Sequence, residues 1–280
     1  MDQSSRWADA SSRRRAASCS SGEGSTARLS SASAKSHRML SWPIGAVADD
    51  FSSRVAARVP PGTPSEQRRV GEDSILTIWG RTNSSNVQKV MWTLAEIGLA
   101  HRRIDAGGEH GGLTTDAYGA MNPNRRVPTI DDDGFVLWES NVIVRYLAAR
   151  YGQGGVWPTR VEDRAVADQW MDWQQTTLAP DMRTVFWGLV RTPPERRDQT
   201  RIDAAAENLN EIWGRLDWHL KGRDFVVGDS LAMGDIPVGV MCHRYYALPV
   251  PRAELEHLSA WYERLKKRGA FRAHVMLPLS

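Results

Sequence analysis

Apolar positions first take on a readable rhythm at residue 75. ILTIWG, residues 75–80, is an apolar run of strand length, and VQKVMWTLAEIG places Val87, Val90, Met91, Leu94 and Ile97 on one helical face, with Gly98 as the stop. HRRIDA serves as a second strand, and TTDAYGAM as a short helix. VPTIDDDGFVLW predicts two strands joined by a turn ending in Asp133-Gly134, a pair that accepts positive φ. SNVIVRYLAARYG then predicts a helix from a cap at Ser140 to Gly152. Strand, helix, strand, short helix, hairpin and closing helix together make a small α/β domain over residues 73–152.

Beyond the Gly- and Pro-containing segment GQGGVWPT no strand pattern is compelling. The apolar spacing predicts helices over 160–190, with Pro180 bending the chain, and over 195–221, 233–247 and 254–268. Residues 160–280 therefore read as an all-helical domain, and no internal repeat is evident.

Residues 1–72 have another texture, rich in Ser, Arg and Ala and without period, and disorder is expected there. That composition also matches an organelle transit peptide. The competing reading is a start placed too far upstream, with Met39 a later one. Arg13, Arg14 and Arg15 are too few to argue for a nuclear or nucleic-acid patch.

Charge and cysteine content narrow the function classes. Residues 1–72 carry 11 Lys and Arg against 7 Asp and Glu, which leaves 25 against 26 for residues 73–280. The small net charge of +3 thus sits in the tail, and the folded part lacks the basic footprint of a nucleic-acid binder. The two cysteines, Cys19 and Cys242, are too far apart and too few for a disulfide framework or a four-cysteine zinc site, so no metal is expected and a reducing, cytoplasmic setting is the default. No stretch approaches the ~20 apolar residues that a membrane-spanning helix needs.

An α/β segment containing MNPNRRVPTI and GFVLWES, followed by a helical segment containing FVVGDSLAMGDIPVG, resembles the cytosolic glutathione S-transferases, in particular the serine-using, theta-like and bacterial members. The likeness spans about residues 75–280. It implies an α/β plus all-α architecture: an N-terminal thioredoxin-like domain that binds glutathione, then an all-helical domain that contributes the site for an electrophile. It further implies a homodimer, with glutathione as co-substrate rather than a prosthetic group, and a small hydrophobic electrophile as the second partner.

Such a site must favour an anion. A thiol with a pKa of about 8.5 is mostly protonated at neutral pH, and a helix N-terminus with a hydroxyl donor can tip the balance toward thiolate. The cluster TNSSN, residues 82–86, stands at that helix start. Aligned with the family's Ser-x-Pro-Cys-Arg arrangement, Asn86 falls at the proline and Ser84 at the catalytic serine. Asn86 or Asn83 is the rival donor, with Ser85 less favoured, and both residue types are also ordinary helix caps.

The same resemblance assigns the backbone of Val127-Pro128, with the proline cis, to the cysteinyl unit of glutathione. It assigns Glu139 to the γ-glutamyl ammonium and Ser140 to its carboxylate. Arg126 and His110 are candidates for the glycyl carboxylate, and Arg125 stands where a glycine is common. Trp173, Thr177 and Trp187, on an aromatic-rich helical stretch, are the electrophile-site candidates, although such a stripe also suits a core. Asp235 keeps half of a capping box whose other half would be Ala232, and is structural in this reading. Two alternatives remain: glutathione-dependent isomerisation, dehalogenation or peroxide reduction in the same site, and a non-catalytic binding or scaffold module on the same fold.

Overall fold

The protein is described here from a computed structural model, which covers residues 75–280. The expectations of disorder, a transit peptide or a later start fall on residues 1–72, outside the described residues, as does Cys19.

The first half is a four-stranded mixed sheet flanked by helices. Strand β1 (Leu76–Trp79) pairs in parallel with β2 (His101–Ile104) and antiparallel with β3 (Thr129–Asp132), which pairs antiparallel with β4 (Phe135–Trp138). The spatial order is β2-β1-β3-β4. Parallel neighbours need a crossover, supplied by helix α1 (Ser85–Ile97), whose C-cap Gly98 adopts the left-handed φ of 73°. Helix α2 (Asp116–Met121) precedes β3, and its cap is Thr115, whose hydroxyl accepts from the Tyr118 N–H. The hairpin turns on Asp133 and Gly134, both at positive φ, 54° and 83°.

Helix α3 (Ser140–Tyr151) closes this half, with one correction to its start. The cap position belongs to Glu139, at φ 73°, and Ser140 is the first helical residue.

The helical half begins with α4 (Val161–Trp173). It runs through a π-helical turn, Gln174–Leu178, into α5 (Ala179–Phe186) and a second π turn, Trp187–Arg191. Pro180 lacks the N–H that an α-helical ladder would use, and a wide turn just before it accommodates the gap. Helices α6 (Gln199–Leu220), α7 (Asp235–Ala247) and α8 (Glu256–Lys266) follow. The apolar spacing overran α6 by four residues at its start, where Pro193 and Pro194 hold a separate short turn. It missed α9 (Gly269–His274), a helix too short to show a period.

Helix α1 explains how the halves join. Val87, Val90, Met91 and Leu94 pack into the sheet core with Ile78 and Ile130, as their spacing predicts. Yet every residue from Val87 to Leu94 is buried, because α3, α7 and α9 cover the remaining faces. Trp92 enters the helical core and meets Phe271 edge-on at 4.7 Å. Gly239 permits this approach: a Cβ there would lie 2.9 Å from the Trp92 ring and from Leu265. At the end of α1, Arg268 donates to both oxygens of Glu96, at 2.7 and 2.6 Å, a forked pair that pins the two halves together.

Candidate functional site

The start of α1, the loop before β3, the start of α3 and the helical half enclose a cavity of about 670 Å³. Asn83, Ser84, Ser85 and Asn86 all line it. Ser84 holds the cap position of α1, with φ −81° and ψ 121°, and its carbonyl accepts from the Gln88 N–H at 2.9 Å. Its hydroxyl caps nothing and has no hydrogen-bond partner among the described residues. Cap and chemistry are therefore divided within one residue: the backbone closes the helix, and the hydroxyl is left for the cavity. Asn86 is exposed on the first turn. Asn83 is turned aside, its amide donating to the Ser280 hydroxyl at 2.6 Å.

The Val127-Pro128 peptide is cis, and both residues line the cavity. Neither the N–H nor the C=O of Val127 is paired with a described residue, so an extended ligand backbone can take both. The loop before it is tied by Tyr118 and Asn122, which donate to the Arg126 carbonyl at 2.7 and 2.8 Å. Arg125 keeps the left-handed φ, 50°, that glycine adopts more readily, and its guanidinium is bound to the carbonyls of Leu113 and Thr115 at 3.1 and 2.7 Å. Arg126 reaches the cavity wall, whereas His110 does not. The His110 ring stands beside Asp105 and Glu109, at 3.7 and 3.6 Å.

Glu139 lines the cavity at a φ that costs a β-carbon about 1 kcal/mol or more, the kind of backbone expense that clusters at ligand sites. Beneath it lies Lys89, fully buried and absent from the sequence expectations. Its amine is 3.0 Å from Asn141 Oδ1, 2.9 Å from Gln174 Oε1 and 3.5 Å from the Ser140 hydroxyl. Burial pushes its pKa down to about 7 against the raising pull of Glu139. The available signal was Trp92: a helix with a large apolar residue opposite its apolar face is covered on both sides, and a lysine there has been placed inside.

Of the three electrophile candidates only Trp187 lines the cavity, 60% exposed at its mouth. Trp173 is packed edge-on against Trp170 at 4.8 Å and Trp213 at 6.3 Å, so it belongs to the aromatic core. Thr177 sits in the π turn, whose extra residue rotates the helix face, and is not on the wall. Met182, Phe186 and Met241 supply the apolar wall instead.

Two family models match this chain, "Glutathione S-transferase, N-terminal domain" over residues 83–150 and "Glutathione S-transferase, C-terminal domain" over residues 199–264. Glutathione S-transferase GstB of Escherichia coli is 43% identical over 209 residues, 74% of this chain and 100% of that protein. The chain belongs to the glutathione S-transferase family. Theta-1 of Rattus norvegicus is 31% identical over 172 residues, 57% of this chain and 68% of its own length. The theta class glutathione S-transferase from the citrus canker pathogen Xanthomonas axonopodis pv. citri, solved with glutathione bound, is 47% identical, with a TM-score of 0.71 and coverage of 74% of this chain and 100% of its own.

The helical half of this transferase fold is anchored by Asp235. Its carboxylate accepts from the N–H groups of Val226 and Ala232 and from the Trp261 indole, each at 2.9 Å. The backbone half of the capping box survives without a hydroxyl at 232, as the sequence implied. Burial raises the carboxyl to about 6 while the three donors pull it down, and it remains ionised at neutral pH. Cys242 is buried in α7 with its thiol pushed up by burial, and serves as a small apolar residue. Among the described residues no helix is long and apolar enough to cross a membrane, and no three His, Cys, Asp or Glu cluster as metal ligands.

Proposed function

We propose that this protein is a glutathione transferase acting on hydrophobic electrophiles, and that Ser84 donates its hydroxyl to the glutathione thiolate. The observation that carries this reading is the uncommitted Ser84 hydroxyl at the N-terminus of α1, in one cavity with Val127-Pro128 and Glu139-Ser140. The names of the relatives support the activity, and the bound glutathione in the Xanthomonas structure supports the co-substrate.

In this reading the Val127 backbone pairs with the cysteinyl unit. Glu139 takes the γ-glutamyl ammonium, and Ser140 takes its carboxylate with Lys89 beneath. Arg126 reaches the glycyl carboxylate. The thiol gives its proton to solvent, and the first-turn N–H groups of α1 and the Ser84 hydroxyl stabilise the resulting sulfur anion. The thiolate then attacks the electrophilic carbon held against Met182, Phe186 and Trp187; the carbon–sulfur bond forms and the leaving group departs with its electron pair.

Ultraviolet titration of bound glutathione tests the assignment. Ser84→Ala raises the thiol pKa with little change in affinity, while Ser85→Ala and Asn86→Ala leave it near the native value. An unmoved pKa in Ser84→Ala, with a shift in Asn86→Ala, transfers the role to Asn86.

The functional unit is a homodimer in the cytoplasm. Phe135, 49% exposed, meets Tyr146 at 5.1 Å beside Val142, 43% exposed, an apolar patch on β4 and α3 that a second copy would cover. Light scattering at micromolar concentration reads the mass directly.

A further inference from the structure

Among the described residues the cavity wall carries six cationic side chains, Arg81, Lys89, Arg126, Arg183, Arg191 and Arg244, against one carboxylate, Glu139. Glutathione bound as above uses Lys89 and Arg126 for its two carboxylates and Glu139 for its ammonium. Arg81, Arg183 and Arg244 are then left with no ligand carboxylate, and Arg191 has only the Ser280 main-chain oxygen. None of these four has a carboxylate side chain within ion-pair distance among the described residues, whereas Arg103, Arg145 and Arg268 do.

Arg244 is the most exacting of them. It is 8% exposed, lies 4.4 Å over the Phe186 ring and donates to the Asn83 carbonyl at 3.0 Å, yet its Nε has no partner among the described residues. Burial and the nearby charges of Arg191 and Arg81 push its pKa down to about 10. A buried guanidinium beside like charges is costly unless an anion completes the set. Arg191 already donates to one acceptor, the main-chain oxygen of Ser280 at 2.5 Å, so an oxygen can reach the cluster. Arg183, Trp187 and Arg191 recur every four residues along α5 and the turn after it, setting two cations on either side of an apolar ring.

We propose that the second substrate is an amphipathic electrophile bearing a carboxylate, or its sulfonate or phosphonate equivalent, with the anion read by Arg244 and Arg191 and the apolar part lying against Met182, Phe186 and Trp187. This rests on the glutathione assignment above. The thiolate forms its bond to the carbon bearing the leaving group, halide departs with the bonding pair, and the anionic group is unchanged by the reaction. Its pairing with arginine positions that carbon over the sulfur.

The test uses 4-chloro-3-nitrobenzoate and 4-chloro-3-nitrobenzamide, two rings of the same shape that differ in charge. For each, kcat/KM is divided by the uncatalysed rate constant with glutathione. The normalised value for the benzoate is expected to exceed that for the benzamide at least tenfold, and the ratio falls as salt is raised. Arg191, exposed and able to be replaced without unfolding, gives the decisive variant. Arg191→Gln lowers the ratio severalfold while the Kd for glutathione is unmoved.

A native ratio at or below one, with the benzamide turned over, overturns the proposal and leaves the transferase reading standing. An unchanged ratio in Arg191→Gln with a weakened glutathione Kd also overturns it, since the cluster would then read the glycyl carboxylate. Failure to bind glutathione at all removes the transferase reading and this proposal with it.

Discussion

The Lys89 amine donates to the Gln174 side chain across 2.9 Å, joining the first helix of the sheet half to the π turn of the helical half directly under the cavity. Because the same amine reaches Asn141 and Ser140, removing it should disturb the proposed γ-glutamyl end of the site and leave the proposed sulfur end alone. Lys89→Met is expected to weaken S-methylglutathione about tenfold, the size of one lost charge-assisted hydrogen bond. Isothermal titration measures it, and an unchanged Kd would remove Lys89 from the site.

Lys89 also makes stability depend on pH in a definite direction. Its pKa is lowered from 10.5 to about 7 on folding, so between those values the unfolded chain holds a proton that the folded chain lacks. The charged lysine costs most at and below pH 7, and the cost fades as pH rises, by at most about 1.4 kcal/mol per pH unit. Urea unfolding at pH 6.5, 8 and 9.5 should show native stability gaining on Lys89→Met across the series; parallel curves would contradict this.

Under the proposed binding mode Glu139 exchanges stability for binding. Glycine at 139 accepts φ 73° without strain, so Glu139→Gly is expected to raise the melting temperature by about 2–4 °C for about 1 kcal/mol of relief. In the proposed binding mode it also loses the partner of the γ-glutamyl ammonium, and glutathione Kd should rise about tenfold or more. A variant that melts higher and binds equally well would show that the carboxylate does not touch the ligand.

Asp235 acts on folding alone. Its oxygens face three N–H donors, and in Asp235→Asn an amide NH₂ must turn toward one of them. A loss of about 2–3 kcal/mol is expected, the cost of buried donors left facing each other, with glutathione affinity of the folded protein retained. Chemical denaturation and titration on the same sample separate the two effects.

Local patterns were legible where a residue's neighbours in sequence are also its neighbours in space. The strand at 75–80, the apolar face of α1, its Gly98 stop and the Asp133-Gly134 turn all follow from period and φ preference, and each is found. The resemblance carried further, to the cis Val127-Pro128 bond and to the gathering of Ser84, Arg126, Glu139 and Ser140 on one wall. It put Trp173 and Thr177 beside them because a helical stripe does not reveal which neighbour it packs against, and in the fold Trp173 joins an aromatic core.

By itself the sequence determined an α/β domain followed by helices and a polar helix start suited to an anion, because strand and helix periods, caps and turn residues act within a few positions. Only the tertiary structure decided the charge of the site. Lys89, Arg183 and Arg244 look like ordinary surface cations in a linear reading, and Lys89 and Gln174 are 85 residues apart. Packing α7 against α1 takes Lys89 and Arg244 out of water, while Arg183 stays exposed at the rim of the same cavity, and this gathering is what converts scattered charge into a site.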